Sequence, residues 1–373
     1  MGCSGYQEMP DQYMMNRNLP DGFKTKAALI PIVFLCLSHL ANGFPVTDAR
    51  GRTQEFESAP RRIVLAGRGL HMIADACYLF PEASSRIVAV ERIIQGKGNF
   101  LAVVDPRFQE KTVLAVNSGP EQIASARPDA VLLKSYMEES LGRTLATLGL
   151  PVIYLDLETP EQFTRDLMTL GSLFGNEQRA RDIVAFFRTR TMLIGRAVEK
   201  LGENAKPETL LLYYSERDGK IAFNVPPPSW MQTILCELAA GRPVWRGVGA
   251  GKGWIKVGLE QIAAWNPDQI FITAYFNDGE KIVSGLYADA GWRELEAVKT
   301  RKLHAFPGDY YTWDQPGPRW ILGLMWLASK LHPDLFPEMD IYGEIRTFYR
   351  ELYGLDERSY LELIQPFLSG DLP

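Results

Sequence analysis

One stretch of this chain is written twice. Pro120–Leu133 reads PEQIASARPDAVLL, and Leu259–Ile272 reads LEQIAAWNPDQIFI. Glu121, Gln122, Ile123, Ala124, Pro128 and Asp129 recur at one constant offset as Glu260, Gln261, Ile262, Ala263, Pro267 and Asp268. Each copy predicts a short helix, a Pro-Asp turn and an apolar strand. The glutamate in the first helical turn suits the positive end of the helix dipole. Helix-turn-strand units share patterns of this kind, but six identities in register favour two equivalent lobes. At 373 residues the chain is long enough for about two domains with a core in each.

Apolar strands alternate with helical stretches around both copies. Ile63–Ala66, Arg86–Val90, Ala130–Leu133 and Val152–Leu155 read as strands in the first half, and Thr209–Tyr213, Gln269–Thr273 and Leu303–Phe306 in the second. This alternation predicts an α/β fold with a central, mostly parallel sheet in each lobe. Phe44–Pro60 reads as a polar loop. Thr159-Pro160 opens a helix that ends near Gly175, and Asn176 caps a second one running to about Leu201. About 25 helical residues span roughly 37 Å, so this segment is expected to be a rigid connector. The expected division is a leader over 1–43, an N-terminal lobe over 44–175, a linker helix over 176–203 and a C-terminal lobe with the C-terminal helices over 204–373.

Lys24 and Lys26 precede an apolar run, Ala27–Leu40, that ends in Ala41-Asn42-Gly43. Basic residues, a short apolar run and small residues match a secretory signal peptide cleaved near Gly43. The run is short of the ~20 residues a membrane span needs. Met15 makes a more usual start for such a leader than Met1. Cys36 raises the question of a lipid anchor, although Leu35 is a poor residue to precede a lipidated cysteine. Export to the periplasm is the expectation.

The net charge of −5 argues against nucleic acid as a partner. Cys77 and Cys236 fall in apolar helical stretches of different halves and read as buried free thiols. His71, His304 and His332 show no HxH or HxxxH spacing, so a bare metal ion is not the expected ligand. His332 reads as a helix C-terminal cap. There is no GxSxG elbow, Walker A loop or HExxH pair. No catalysis and no intrinsic cofactor are expected.

With this doubled motif, Arg61-Arg62-Ile63-Val64 at the first strand, Trp254 before the second copy, and Trp292–Lys299 followed by Leu303–Pro307, the chain resembles the substrate-binding proteins of ABC importers. The closest likeness is to the subgroup serving iron-siderophore, haem and cobalamin uptake. That resemblance implies two α/β lobes joined by one long helix, a ligand cleft between them and small closure movements. It also implies that Glu121 and Glu260 are the surface glutamates, one per lobe, that meet arginines on the membrane permease. The alternative is that each merely caps its own helix. The implied ligand is an iron-siderophore or related metal chelate, with haem or a corrinoid as the competing reading, and the protein itself is expected to be a monomer.

Ligands of open parallel sheets bind beyond the carboxyl ends of the strands. The loops there carry Arg68, Tyr136, Tyr214 and Tyr275, and an aromatic loop carries Tyr310, Tyr311 and Trp313, with Trp254 before the repeat helix. Tyrosine and tryptophan offer broad apolar faces and a polar edge, which suits a bulky chelate. Arg68 or Lys252 suits a carboxylate or phosphate on it. His71, after the Gly67–Gly69 turn, is a weak candidate for touching the metal of such a complex; a histidine on a helix surface is the plainer reading. The rival is a dinucleotide-dependent oxidoreductase, because Gly67-Arg-Gly69 follows a strand and Glu91 ends the next one. Met72 in place of the third glycine counts against it.

Overall fold

A computed structural model describes residues 43–249, 251 and 253–373. Residues 1–42 of the expected leader, with Cys36, and Lys252 lie outside the described residues. Five short strands, β1 (Ile63–Leu65), β2 (Ile87–Glu91), β3 (Thr112–Leu114), β4 (Ala130–Lys134) and β5 (Val152–Leu155), form a sheet in the order β3-β2-β1-β4-β5. Every pairing in it is parallel. Ile63, Leu65, Ala130 and Leu132 point into one buried cluster, while Val64, Val131, Leu133 and Tyr154 point into another. Burial on both faces is why these strands read as unbroken apolar runs.

The second sheet holds β6 (Glu208–Arg217), β7 (Lys220–Val225), β8 (Arg242–Pro243), β9 (Ile255–Val257), β10 (Gln269–Thr273) and β11 (Leu303–Ala305). Its order is β9-β7-β6-β10-β11, with β8 also paired to β6. The pairings of β6 with β8 and β10, and of β10 with β11, are parallel; β7 runs antiparallel to both β6 and β9. The expected strand end at Tyr213 is corrected here. β6 continues to Arg217 and turns back through Asp218-Gly219, both at positive φ (51° and 70°). Asp-Gly is the pair that such a two-residue hairpin turn favours. Phe44–Pro60 is also more ordered than a loop, since Phe44–Thr47 pairs antiparallel with Thr53–Phe56.

The main helices are α1 (Leu70–Cys77), α2 (Pro120–Ser125), α3 (Pro160–Phe174), α4 (Glu177–Val198), α5 (Met231–Leu238), α6 (Leu259–Trp265), α7 (Trp320–Leu331) and α8 (Ile341–Tyr353). The two repeat copies form α2-β4 and α6-β10. Ile123 and Ile262 are both fully buried. The Asp129 carboxylate accepts the backbone N–H groups of Arg61 and Arg62 at 2.8 and 2.9 Å, at the foot of β1. Asp268 accepts the N–H of Glu208 at 2.7 Å, at the foot of β6. Each Pro-Asp turn therefore pins the start of the neighbouring strand.

Between the sheets in sequence runs α4, 22 residues long and so about 33 Å. Asn176 caps it by accepting the Arg179 N–H at 3.1 Å. The Arg179 guanidinium donates to the carbonyls of Leu79, Glu351 and Leu352 at 2.9, 3.0 and 2.7 Å, tying the helix start to the segment after α1 and to α8. A single buried apolar cluster runs from Leu65 and Ile153 beside the first sheet to Leu210 and Ile270 in the second. The two sheets share this core, which resists wide separation. Cys77 and Cys236 are buried free thiols, as expected. Among the described residues no helix is long and apolar enough to cross a membrane.

Candidate ligand-binding cleft

The carboxyl edges of the two sheets face each other across a cleft of about 530 Å³. Met72, Gln95, Tyr136 and Glu158 line it from the first lobe, and Trp230, Gln232, Trp254, Tyr275, Gln315 and Pro316 from the second. Each first-lobe residue follows the end of a parallel strand, β1, β2, β4 and β5 in turn.

The second-lobe wall is aromatic. Tyr213 stacks on Tyr275 with ring centroids 4.6 Å apart, Trp254 tilts against Tyr213 at 4.9 Å, and Trp230 stands edge-on to Trp254 at 5.6 Å. Behind it lies the fully buried Asp314. Its carboxylate accepts from Tyr275 Oη at 2.7 Å, Thr273 Oγ1 at 2.8 Å and Gln232 Nε2 at 3.2 Å. Burial raises the Asp314 pKa against the pull of these donors. Burial and the Asp314 charge push the Tyr275 hydroxyl well up, so it stays a phenol.

Across the cleft Tyr136 is 57% exposed as a residue. Its hydroxyl turns inward over Gly69, where a Cβ would lie 2.7 Å from Tyr136 Oη. Gly69 also sits at φ 69°, a left-handed conformation that favours glycine. Burial pushes the Tyr136 pKa up to about 12, with the Glu158 charge assisting and Arg68 opposing.

Tyr136, Trp254 and Tyr275 thus stand together on one cleft. Arg68 lines an adjoining recess with Arg92, Ile94 and Asn117, and Gln95 borders both spaces. The other candidates are corrected. Tyr214 belongs to β6, and the strand's period of two turns it away from the cleft, opposite to Tyr213, which packs behind Trp254 and Tyr275. Tyr214 is 7% exposed and packs on Phe223. Tyr310, Tyr311 and Trp313 are buried beneath the cleft. Tyr310 stacks on Phe367 and donates to the Leu363 carbonyl, Tyr311 stacks on His71, and Trp313 Nε1 donates to Asp309. Tyr310 and Tyr311 pack across to the first lobe, on Phe100 and His71, while Trp313 is held within the second lobe, and none of the three lines the cleft.

His71 lies in that floor too, not on a helix surface. Its Nε2 meets the Gln315 side-chain oxygen at 2.9 Å, and the Gln95 amide donates to the same oxygen. A carbonyl oxygen only accepts, so Nε2 carries the proton and offers no lone pair to a metal. Among the described residues no group of three His, Cys, Asp or Glu side chains is arranged to hold a metal ion. Burial, with the Lys134 and Arg319 charges adding to it and the Gln315 hydrogen bond opposing, lowers the His71 pKa to about 4. The unfolded chain protonates this ring near ~6.5, so stability drawn from the neutral ring is whole above that pH and is lost as pH falls toward 4, by up to about 3 kcal/mol. The stability gap between the wild type and His71→Gln, followed by urea unfolding, should therefore shrink as pH drops from 6.5 to 4. A gap that stays flat over that window would show that the ring titrates normally.

His332 caps the C-terminus of α7 and meets the Ala240 carbonyl at 3.2 Å, as expected. Glu121 and Glu260 are exposed in the first turns of α2 and α6. Both helices start on the carboxyl edge of their sheets, because each leads into the amino end of the next parallel strand. Neither glutamate side chain caps its own helix. Glu91 is buried and accepts the backbone N–H groups of Gly67 at 3.0 Å and Asn117 at 2.7 Å. Those bonds occupy the carboxylate that a dinucleotide ribose would require.

Gln95, Glu158, Gln232 and Gln315 carry amide or carboxylate side chains, which the sequence reading did not seek, and Trp230 is aromatic but opens a helix rather than following a parallel strand. Gln95 and Glu158 follow strand ends as closely as the residues chosen, so position alone was the available signal.

A family model described as periplasmic binding protein matches residues 102–310. The chain is 22% identical over 255 residues to the molybdate-binding protein MolA of Haemophilus influenzae, covering 62% of this chain and 69% of that one. It is 24% identical over 155 residues to the petrobactin-binding protein YclQ of Bacillus subtilis, covering 41% and 46%. A periplasmic solute-binding protein from Veillonella parvula superposes with a TM-score of 0.67 at 20% identity, covering 86% of this chain and 96% of that one.

Proposed function

The chain belongs to the periplasmic binding protein family, and from that premise we propose that it captures an iron-siderophore or related metal-chelate complex and delivers it to an ABC importer permease. It catalyses no reaction. In this reading residues 1–43 are a leader removed on export, 44–175 and 204–373 are the lobes, and 176–203 is the helix that joins them. Haem or a corrinoid is the competing ligand class on the same fold. The observation that carries the reading is the wall of Trp230, Trp254 and Tyr275, backed by Tyr213, on an inter-lobe cleft of about 530 Å³. That volume falls within the roughly 300–1,000 Å³ of small-molecule sites and is far more than a tetrahedral oxyanion fills. Broad apolar rings with amide and phenol donors at the margin suit a large, mainly apolar complex.

Two tryptophans in the wall supply the test. Titrating the mature protein with ferric siderophores, haem, a corrinoid and molybdate should quench tryptophan fluorescence at submicromolar concentration for a ferric chelate. Trp254→Ala should weaken that ligand by ~30-fold, equivalent to about 2 kcal/mol. Binding of molybdate alone, or of none of the four classes, would overturn the reading.

A further inference from the structure

Glu158 stands where two features meet. Lys134 ends β4 with a wholly buried side chain. Its ammonium donates to the backbone carbonyl of Asp156, meets the Glu158 carboxylate at 2.6 Å and reaches the Met72 sulfur at 3.7 Å. A buried ammonium is costly without a counter-charge, and Glu158 is its one carboxylate partner among the described residues. The Glu158 side chain is also 35% exposed and lines the cleft. One carboxylate therefore cancels the lysine and faces the ligand.

The rest of the cleft works in the same direction. Trp230, Trp254 and Tyr275 line it with aromatic rings, which bring no positive charge. Asp314 lies behind Tyr275. Two exposed cations, Arg68 and Arg92, line the adjoining recess and not the cleft. Among the described lining residues no positive charge is left uncompensated.

Resting on the chelate-binding reading above, we infer that Glu158 sets the charge class of the ligand: the cleft takes a neutral or cationic metal chelate and rejects anionic chelates and oxyanions. A ligand carrying negative charge would lie against a carboxylate and beside aromatic rings that offer it no compensating charge. Such repulsion discriminates as effectively as an added contact. A ferric tris-hydroxamate is neutral, because three monoanionic groups balance the iron. A ferric tris-catecholate carries three negative charges and is the natural opposite.

The test measures tryptophan quenching by a neutral ferric tris-hydroxamate, a ferric tris-catecholate and molybdate, on the wild type, Glu158→Gln and Glu158→Asp. The wild type should prefer the hydroxamate by about a hundredfold, the sum of several charge contacts at the effective dielectric of a surface cleft. Glu158→Gln should strengthen catecholate and molybdate binding about tenfold, while the hydroxamate constant moves much less. Glu158→Asp should restore the wild-type ranking, and adding Lys134→Met to Glu158→Gln should keep a smaller part of the gain for anions, because the repelling carboxylate is still gone while no bared ammonium attracts them. If chelates bind but the ranking is the same in the wild type and Glu158→Gln, or if the wild type prefers the catecholate, the role of Glu158 is wrong and the chelate reading stands. If no chelate binds either protein yet Glu158→Gln gains molybdate, the role of Glu158 stands and the chelate reading falls. If nothing binds any variant, both fall.

Discussion

Arg319→Met should lower the stability of this chain by about 3–5 kcal/mol, the usual cost of breaking a buried ion pair from one side. Arg319 lies beneath the cleft with 3% of its side chain exposed. It pairs with Asp309 at 2.5 Å and with Asp75 of α1, and its Nε also donates to Tyr349 Oη at 3.2 Å. Its guanidinium stacks over Phe100, 4.1 Å from the ring centroid. Asp75 and Phe100 belong to the first lobe, whereas Asp309, Arg319 and Tyr349 belong to the second, so this one side chain joins both. Methionine fills the space but leaves two buried carboxylates facing each other without a cation.

The sign of the pH effect follows. Burial already raises the Asp75 pKa to about 7 against the pull of Arg319. In the variant that pull is gone, so the folded state holds protons that the unfolded chain releases above ~4. The stability of the variant then falls as pH rises, and its gap from the wild type should be wider at pH 8 than at pH 5. Urea unfolding at the two values checks both statements. A loss under 1 kcal/mol, or a gap that narrows at pH 8, would remove Arg319 from its place as the joint between the lobes.

Reversing charge at Glu121 and Glu260 together should abolish uptake while the ligand constant of the purified protein is unchanged. Both carboxylates are exposed on helices that start at the cleft edge of their own sheets, outside the cleft lining. One on each lobe is what a pseudo-symmetric permease needs to grip both lobes at once. A hydrogen-bonded charge pair lost from a protein interface costs roughly 2–5 kcal/mol, and a reversed charge adds repulsion. Two such sites exceed the stability of a transient docking complex. Uptake in whole cells carrying Glu121→Lys with Glu260→Lys, set beside fluorescence titration of the variant, separates docking from capture. Transport at wild-type rate would end the docking proposal.

The parts of this architecture that repeat with a short period were legible in the residues. Apolar runs of four or five residues between helical stretches announced parallel strands buried on both faces. The doubled Glu-Gln-Ile-Ala and Pro-Asp pattern announced two lobes, and the structure gives each Asp the same task at the foot of a neighbouring strand. Tyr136 and Tyr275 came from the strand-end rule, and Trp254 from its place before the repeat helix. The same rule misplaced Tyr214 because the Asp218-Gly219 turn went unread, and a strand that runs four residues longer turns alternate side chains to opposite faces. An aromatic cluster such as Tyr310-Tyr311-Thr312-Trp313 looks the same in sequence whether it walls a cleft or fills a floor.

What the sequence by itself determined is local and periodic: strand and helix type, the caps at Thr159 and Asn176, the equivalence of the two halves and the family likeness. What only the tertiary structure decided is which residues distant in the chain share a space and a charge. Lys134 is neutralised by Glu158 because β4 and β5 are neighbours in the sheet. Arg319 meets Asp75 because α7 starts against α1 across the lobes. The physical reason is common to both cases. Secondary structure follows from hydrogen bonds and side-chain periods within a few residues. Burial and the balance of charge depend on which segments exclude water together, and no window along the chain contains that information.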